Sequence, residues 1–268
     1  MKNVKIRANG ININYRIDGP EGAPWVTMSN SLATSYRMWD PQVSAFTKSH
    51  RVLRYDKRGH GETDVTPGPY NFELLADDLL ALLDALRISR THFVGLSMGG
   101  MTGMTMALRK TPVLRTLVLC DTTSQDPLGD PALWQQRYDT ITAAGSMEPM
   151  VEPTVARFIT PAAAKTRPEL ANTVRDMVRA TPVMGYIACC QAVSKLALTD
   201  RIGEIRVPTM VVVGREDPAT TVEMGKGIHE RIVGSEMVIL DHAAHLSNLE
   251  QPEAFNKAVL GFLSRHRT

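Results

Sequence analysis

The sequence is poor in the features that bind a chain to particular surroundings. Its 268 residues contain three cysteines, too few for a disulfide framework. Two of them, Cys189 and Cys190, are adjacent, and none has metal-ligand spacing. An odd count of this kind fits a reducing compartment. Neither sign of charge is in excess, since 30 Lys and Arg face 28 Asp and Glu, a net +2. That balance leaves no electrostatic footprint for nucleic acid or an anionic membrane. The opening MKNVKIRANG lacks the apolar stretch of a signal peptide, and no apolar run is long enough to span a bilayer. Repeats and low-complexity segments are missing too. With 43% hydrophobic and 22% charged residues, the chain has a globular composition, which excludes a disordered or collagen-like protein. These absences predict a soluble, cytoplasmic protein with no nucleic-acid or membrane partner.

What is present is alternation. Val4 to Ala8 and Ile11 to Asp18 are short alternating segments joined by Asn9-Gly10, a strong hairpin signal. Apolar runs bounded by turn residues follow at Trp25 to Met28, Arg51 to Tyr55, Thr91 to Leu96 and Leu114 to Cys120. Runs of that length suit strands buried on both faces of a parallel sheet. Helical patterns lie between them. The clearest, Phe72 to Leu86, sets Leu74, Leu75, Leu79, Leu82, Leu83 and Leu86 against Asp77, Asp78 and Asp84 on the other side. From Thr122 to about Asp200 only helical stretches appear, punctuated by prolines at 131, 153, 161, 168 and 182. Strands resume at Thr209 to Gly214 and Ser235 to Leu240, with helices over Thr221 to Ile232 and from Pro252 to about Ser264. The pattern predicts an α/β protein with a doubly wound, mostly parallel sheet of eight strands. Residues 1–121 and 201–268 would form its core, with 122–200 a helical cap inserted after the sixth strand.

The sharpest motif is Gly95-Leu96-Ser97-Met98-Gly99, followed by Gly100. It follows the apolar His92-Phe93-Val94 and precedes a helical pattern over Met101 to Lys110, which is the setting of a nucleophile elbow. There a serine is held in a tight strand-to-helix turn, and the helix N-terminus behind it favours developing negative charge. Such a serine needs a base, and the base needs an acid to orient it. In this architecture the acid follows a late strand and the histidine comes last. Asp217, fixed by Pro218, is preferred over its neighbour Glu216, with Asp121 after the sixth strand as a rival. His245 and His242 compete for the base, and His245 is preferred because it leads into the link before the final helix. The oxyanion donors would be the backbone N–H of Met98 and one from the loop Ser29 to Thr34, assigned to Leu32 with Ser31 as the neighbouring choice.

Several other residues read as structural. Met98, Met101, Met104 and Met106 suit core packing, Cys189 and Cys190 a cap helix, and Arg58 an anchor for its loop. No carboxylate pattern completes a zinc motif around His242 and His245, and Gly59-His60-Gly61 lacks the spacing and lysine of a phosphate loop. No metal or cofactor is expected.

These pieces resemble the α/β-hydrolase superfamily and, more narrowly, the 3-oxoadipate enol-lactonase group. Asp56-Lys57-Arg58-Gly59-His60-Gly61 is similar to the superfamily's D-x-R-G-x-G segment. Asn30-Ser31-Leu32 and Trp39-Asp40 resemble the narrower group's N-S-L and W-D, and Ala244 to Glu250 its A-H-x-x-N-x-E run. In the insertion Trp134 with Arg137, Gly185-Tyr186 and Cys189-Cys190-Gln191 resemble its cap. One departure stands out: the group commonly reads R-W-F where this chain has Arg157-Phe158-Ile159. The resemblance implies an α/β-hydrolase fold and a cofactor-independent serine hydrolase working through an acyl-enzyme on Ser97, with His245 and Asp217. Its substrate would be a small ester or lactone, 3-oxoadipate enol-lactone first and short-chain carboxylic esters second. Perhydrolysis of the haloperoxidase kind and a non-catalytic binding role are remoter readings. Serine at position 97 argues against dehalogenase or epoxide hydrolase chemistry, which similar enzymes run with aspartate. Trp134, Arg137, Arg157, Phe158 and Tyr186 would contact substrate, with Arg137 or Arg157 meeting the carboxylate of an acidic lactone.

Overall fold

Asn9 and Gly10 both take positive φ, 45° and 78°, as a type I′ turn requires. They join β1 (Val4–Ala8) to β2 (Ile11–Asp18) with Ala8 opposite Ile11. The computed structural model, which describes residues 4–266, continues the sheet through β3 (Trp25–Ser29), β4 (Arg51–Tyr55), β5 (Thr91–Leu96), β6 (Leu114–Cys120), β7 (Thr209–Gly214) and β8 (Glu236–Leu240). The strand order is β1-β2-β4-β3-β5-β6-β7-β8. β2 runs antiparallel to β1 and β4, and the remaining pairs are parallel. Every residue of β5 and β7 is buried, so these strands are covered on both faces, as their uninterrupted apolar runs require.

From β3 the chain steps to β4 on one side and later to β5 on the other. A parallel sheet opens a crevice at the carboxyl ends of its strands where the order reverses in this way. The core helices are α1 (Asp40–Phe46), α2 (Phe72–Ala85) and α3 (Met98–Leu108). α2 packs beside α3. Asp78, expected on the polar side of α2, is instead buried and accepts both Arg58 Nε at 2.7 Å and Arg58 Nη2 at 2.5 Å. A buried guanidinium needs such a partner, and Arg58 is the loop anchor its sequence suggests. α3 begins at Met98, three residues before the first of the expected helical pattern, so Ser97 is its N-cap.

Between β6 and β7 lie α4 (Pro131–Ala144), α5 (Glu148–Phe158), α6 (Pro161–Thr166), α7 (Pro168–Arg179) and α8 (Val183–Val193). Three of these helices open on a proline, where the missing N–H has no intrahelical acceptor to lose. Pro153 departs from the punctuation pattern by lying inside α5. After β7 come α9 (Val222–Arg231), then, past β8, α10 (Ser247–Glu250) and α11 (Pro252–Ser264). α11 packs on α1. Among the described residues no helix is long and apolar enough to cross a membrane.

Candidate active site

Ser97 has φ 55° and ψ −116°, a conformation non-glycine residues hold only when the surroundings over-determine it, at about 1–3 kcal/mol. The surroundings do so here. Its N–H donates to Cys120 O at 2.8 Å, and its carbonyl accepts Thr122 Oγ1 at 2.7 Å. The glycines of the motif let backbones meet. A Cβ on Gly99 would stand 2.1 Å from Ser29 O, and one on Gly95 would stand 2.4 Å from the Gly99 carbonyl. Their absence brings α3 against the end of β3 and sets the Met98 amide beside the loop that follows Ser29.

Of the three consecutive N–H groups from Ser31 to Ala33 in that loop, one has no acceptor among the described residues. Ser31 N–H points to Met38 Sδ at 3.3 Å, and Ala33 N–H donates to His60 Nε2 at 3.0 Å. Leu32 N–H has no acceptor among the described residues, nor does the Met98 N–H in the first turn of α3. Both residues line the same cavity as Ser97.

Asp217 and His245 come from the ends of β7 and β8. His245 Nδ1 lies 2.8 Å from Asp217 Oδ2. The same oxygen accepts Thr220 Oγ1 at 2.6 Å, while Asp217 Oδ1 accepts Ala219 N–H at 2.7 Å and Thr220 N–H at 3.0 Å. Burial alone would raise the Asp217 pKa. The charge and hydrogen bond of His245, with those donors from Thr220, outweigh it and hold the carboxyl below its usual range. Phe158 lies against the imidazole with ring centroids 5.0 Å apart. The rivals stand elsewhere. His242 and Glu216 are exposed. Asp121 is buried, with Oδ1 accepting Gly214 N–H at 2.7 Å and Oδ2 accepting Ser247 Oγ at 2.5 Å. Burial, with Asp217 nearby, pushes its pKa well up, and its two contacts make it a strut between β6, β7 and α10.

The cavity holds about 160 Å³, below the roughly 300 Å³ at which drug-sized pockets begin. It brings together Ser97, Met98, Leu32 and His245 with Trp134, Arg137, Arg157, Phe158 and Tyr186 from the cap. Arg137 stacks on Trp134, its guanidinium carbon 4.9 Å from the ring centroid, and Trp134 Nε1 is held by Asp126 at 3.0 Å. Neither Arg137, stacked on Trp134, nor Arg157, beside Arg137, Tyr186 and Cys190, is paired with a carboxylate among the described residues. Burial, reinforced by Arg137, lowers the Arg157 pKa, though an arginine stays charged at any ordinary pH. Among the described residues, three cavity-lining polar atoms are buried without a partner: Ser31 Oγ, Thr154 Oγ1 and Arg157 Nε. Thr154 had no signal in the sequence, because only the packing of α5 among the helices of the insertion brings it here. No cluster suited to a metal ion occurs among the described residues.

A glycine-framed serine at the sheet crevice, beneath an inserted helical cap, defines a class. The sequence profile of the alpha/beta hydrolase fold matches residues 24–252, and the chain belongs to that family. Within it, the chain groups with the 3-oxoadipate enol-lactonases. It is 33% identical to 3-oxoadipate enol-lactonase 2 of Acinetobacter baylyi over 97% of this chain and 96% of the relative. The solved enol-lactonase of Burkholderia xenovorans superposes with a TM-score of 0.93 at 38% identity, covering 97% of this chain and all of that one. A thermophilic esterase from Thermogutta terrifontis is similar at TM-score 0.91 and 27% identity over the whole of both chains.

Proposed function

We propose that the protein is a serine hydrolase that opens a small lactone bearing a carboxylate, with 3-oxoadipate enol-lactone as the first substrate to test. The observation that carries this reading is the single cavity joining Ser97 and His245 to two arginines without a carboxylate partner. An anionic substrate would satisfy that excess charge and the unpaired Arg157 Nε.

In this reading Ser97 Oγ attacks the lactone carbonyl while His245 takes its proton, and Asp217 stabilises the resulting imidazolium. The oxyanion lies between the Met98 and Leu32 N–H groups, where a single donor is worth about 3 kcal/mol. Collapse breaks the ring C–O bond, and His245 returns the proton to the leaving enol oxygen. Water activated by His245 then releases the acyl group from Ser97. The small cavity favours a compact acyl portion, and Phe158 shapes the wall beside the imidazole.

A second reading, a short-chain carboxylesterase, draws support from the likeness to the Thermogutta esterase and from Phe158, which stands where the lactonase group commonly has tryptophan. Substrate charge separates the two. Arg137→Ala and Arg157→Ala should each lower kcat/KM for the acidic lactone by roughly ten- to a hundredfold, the worth of a charge-assisted hydrogen bond. Hydrolysis of p-nitrophenyl acetate should stay within about threefold of wild type. Equal effects on both substrates, or fast ester and absent lactone turnover in the wild type, would favour the esterase.

A further inference from the structure

Behind the oxyanion loop sits a charge that the reaction above leaves unused. Lys57 is buried, and its Nζ donates to Asn30 O in a short bond and to Ser31 O at 3.4 Å. It forms no ion pair among the described residues. An ammonium removed from water without a counter-ion is destabilising, and an apolar side chain of similar length would fill the space without that penalty.

Its two acceptors say what it is for. Ser31 O and Leu32 N–H are opposite ends of one peptide group, so donation to the carbonyl end strengthens the amide end as a donor. Thr34 Oγ1 donates to the same oxygen at 2.9 Å. Two residues after Arg58, His60 takes the next amide of the loop, Ala33 N–H, on Nε2. Burial, with Lys57 nearby, pushes the His60 pKa down to about 3, so its ring is the neutral acceptor this bond requires. The segment Asp56 to Gly61 thus grips the oxyanion loop on either side of Leu32.

We propose that Lys57 is a positioning residue for the oxyanion hole, its ammonium turning the Asn30 and Ser31 carbonyls out of the cavity and polarising the Ser31–Leu32 peptide toward the transition state. The proposal rests on the reading of Ser97 as nucleophile and Leu32 as donor. The titratable groups facing Lys57 are Asp56 and His60 on its own segment and Cys189 of α8. The oxyanion loop contributes none. Burial lowers the Lys57 pKa to about 7, against the opposing pull of Cys189 and Asp56. Burial also pushes the Cys189 thiol far up and the Asp56 carboxyl up, and Lys57 carries a charge that changes near neutrality. Its protonated form is the stronger donor, so kcat should step down as pH rises through about 7, to a lower plateau rather than to zero.

The test compares wild type with Lys57→Met and Lys57→Gln. It reads p-nitrophenyl acetate hydrolysis, inhibition by trifluoroacetone, and thermal unfolding. The inhibitor reports the oxyanion directly. Ser97 Oγ bonds to its carbonyl carbon, the hydroxyl proton passes to His245, and the carbonyl π pair becomes an alkoxide on the same two donors. Both variants should lose about tenfold in kcat, a loss within reach of one nearby unit charge at an effective dielectric of about 20. KM should stay within about twofold. Affinity for the ketone should fall by the factor lost in kcat, and the step near pH 7 should vanish. Lys57→Met should unfold at the same temperature as wild type or higher. Unchanged kcat and ketone affinity in both variants would overturn the proposal, as would lower stability with the pH step intact. Should Ser97→Ala bind the ketone as well as wild type does, the reading beneath the proposal has failed instead.

Discussion

Ala33, Ser97 and Asp121 are three of the non-glycine residues with positive φ, at 59°, 55° and 41°, and they follow β3, β5 and β6. Strain of this kind persists where a particular side chain or amide must be aimed. Here two of the three, Ala33 and Ser97, line the cavity. The residue-level consequence is a sharp contrast between neighbours. His245→Ala should cost about four to six orders of magnitude in kcat, because in the proposed mechanism it removes the base that takes the Ser97 proton. His242→Ala, at an exposed turn, should stay within a few-fold of wild type. Asp217→Asn should be crippled, since an amide cannot stabilise an imidazolium. Asp121→Asn should retain most activity, because a neutral amide still accepts Gly214 N–H and still meets Ser247. Steady-state kinetics on purified variants decide this. Reversed order in either pair would move the base or the acid to the rival.

At the scale of elements, the contact that makes the site is α3 against the end of β3, and Gly99 sets its distance. Gly99→Ala should push the helix away from Ser29, parting the Met98 and Leu32 amides. We expect a stability loss of about 1–3 kcal/mol, the usual range for overpacking, and a kcat loss larger than that of KM. An alanine variant with wild-type kcat and melting temperature would refute this close-packing account.

The same contrast explains what could be read without coordinates. β5, the elbow and β7 were legible because apolar runs, glycines and turn residues act over a few positions. Asp78 was misplaced because helical periodicity knows nothing of Arg58, which reaches it from a loop twenty residues away. Thr154 and the role of Lys57 left no local trace, since both depend on segments that meet only in the folded chain. Glu250 is a further case. Its carboxylate accepts Thr160 N–H at 2.9 Å and Ala244 N–H at 2.6 Å, tying the cap to the residue before His245. No spacing rule links positions ninety apart.

For the molecule as a whole, two buried histidines couple stability to pH. His60 and His92 are both held down to about 3, chiefly by burial, with nearby positive groups adding to it. The unfolded chain therefore binds protons below about 6.5 that the folded chain refuses, and stability falls as pH drops from about 6.5 toward 3. Equilibrium unfolding should show a slope of up to about 2.7 kcal/mol per pH unit from the pair. A flat profile between pH 6 and 4.5 would contradict it. The central claim, a serine hydrolase working through an acyl-enzyme, has its own direct measurement on the intact protein. Enzyme quenched in acid during turnover of p-nitrophenyl acetate is weighed by mass spectrometry and its peptides are mapped. The account predicts an acetyl adduct on the peptide carrying Ser97, present in wild type and missing in Ser97→Ala, whose turnover is lost. Undiminished turnover in Ser97→Ala, or an adduct confined to another residue, would contradict it.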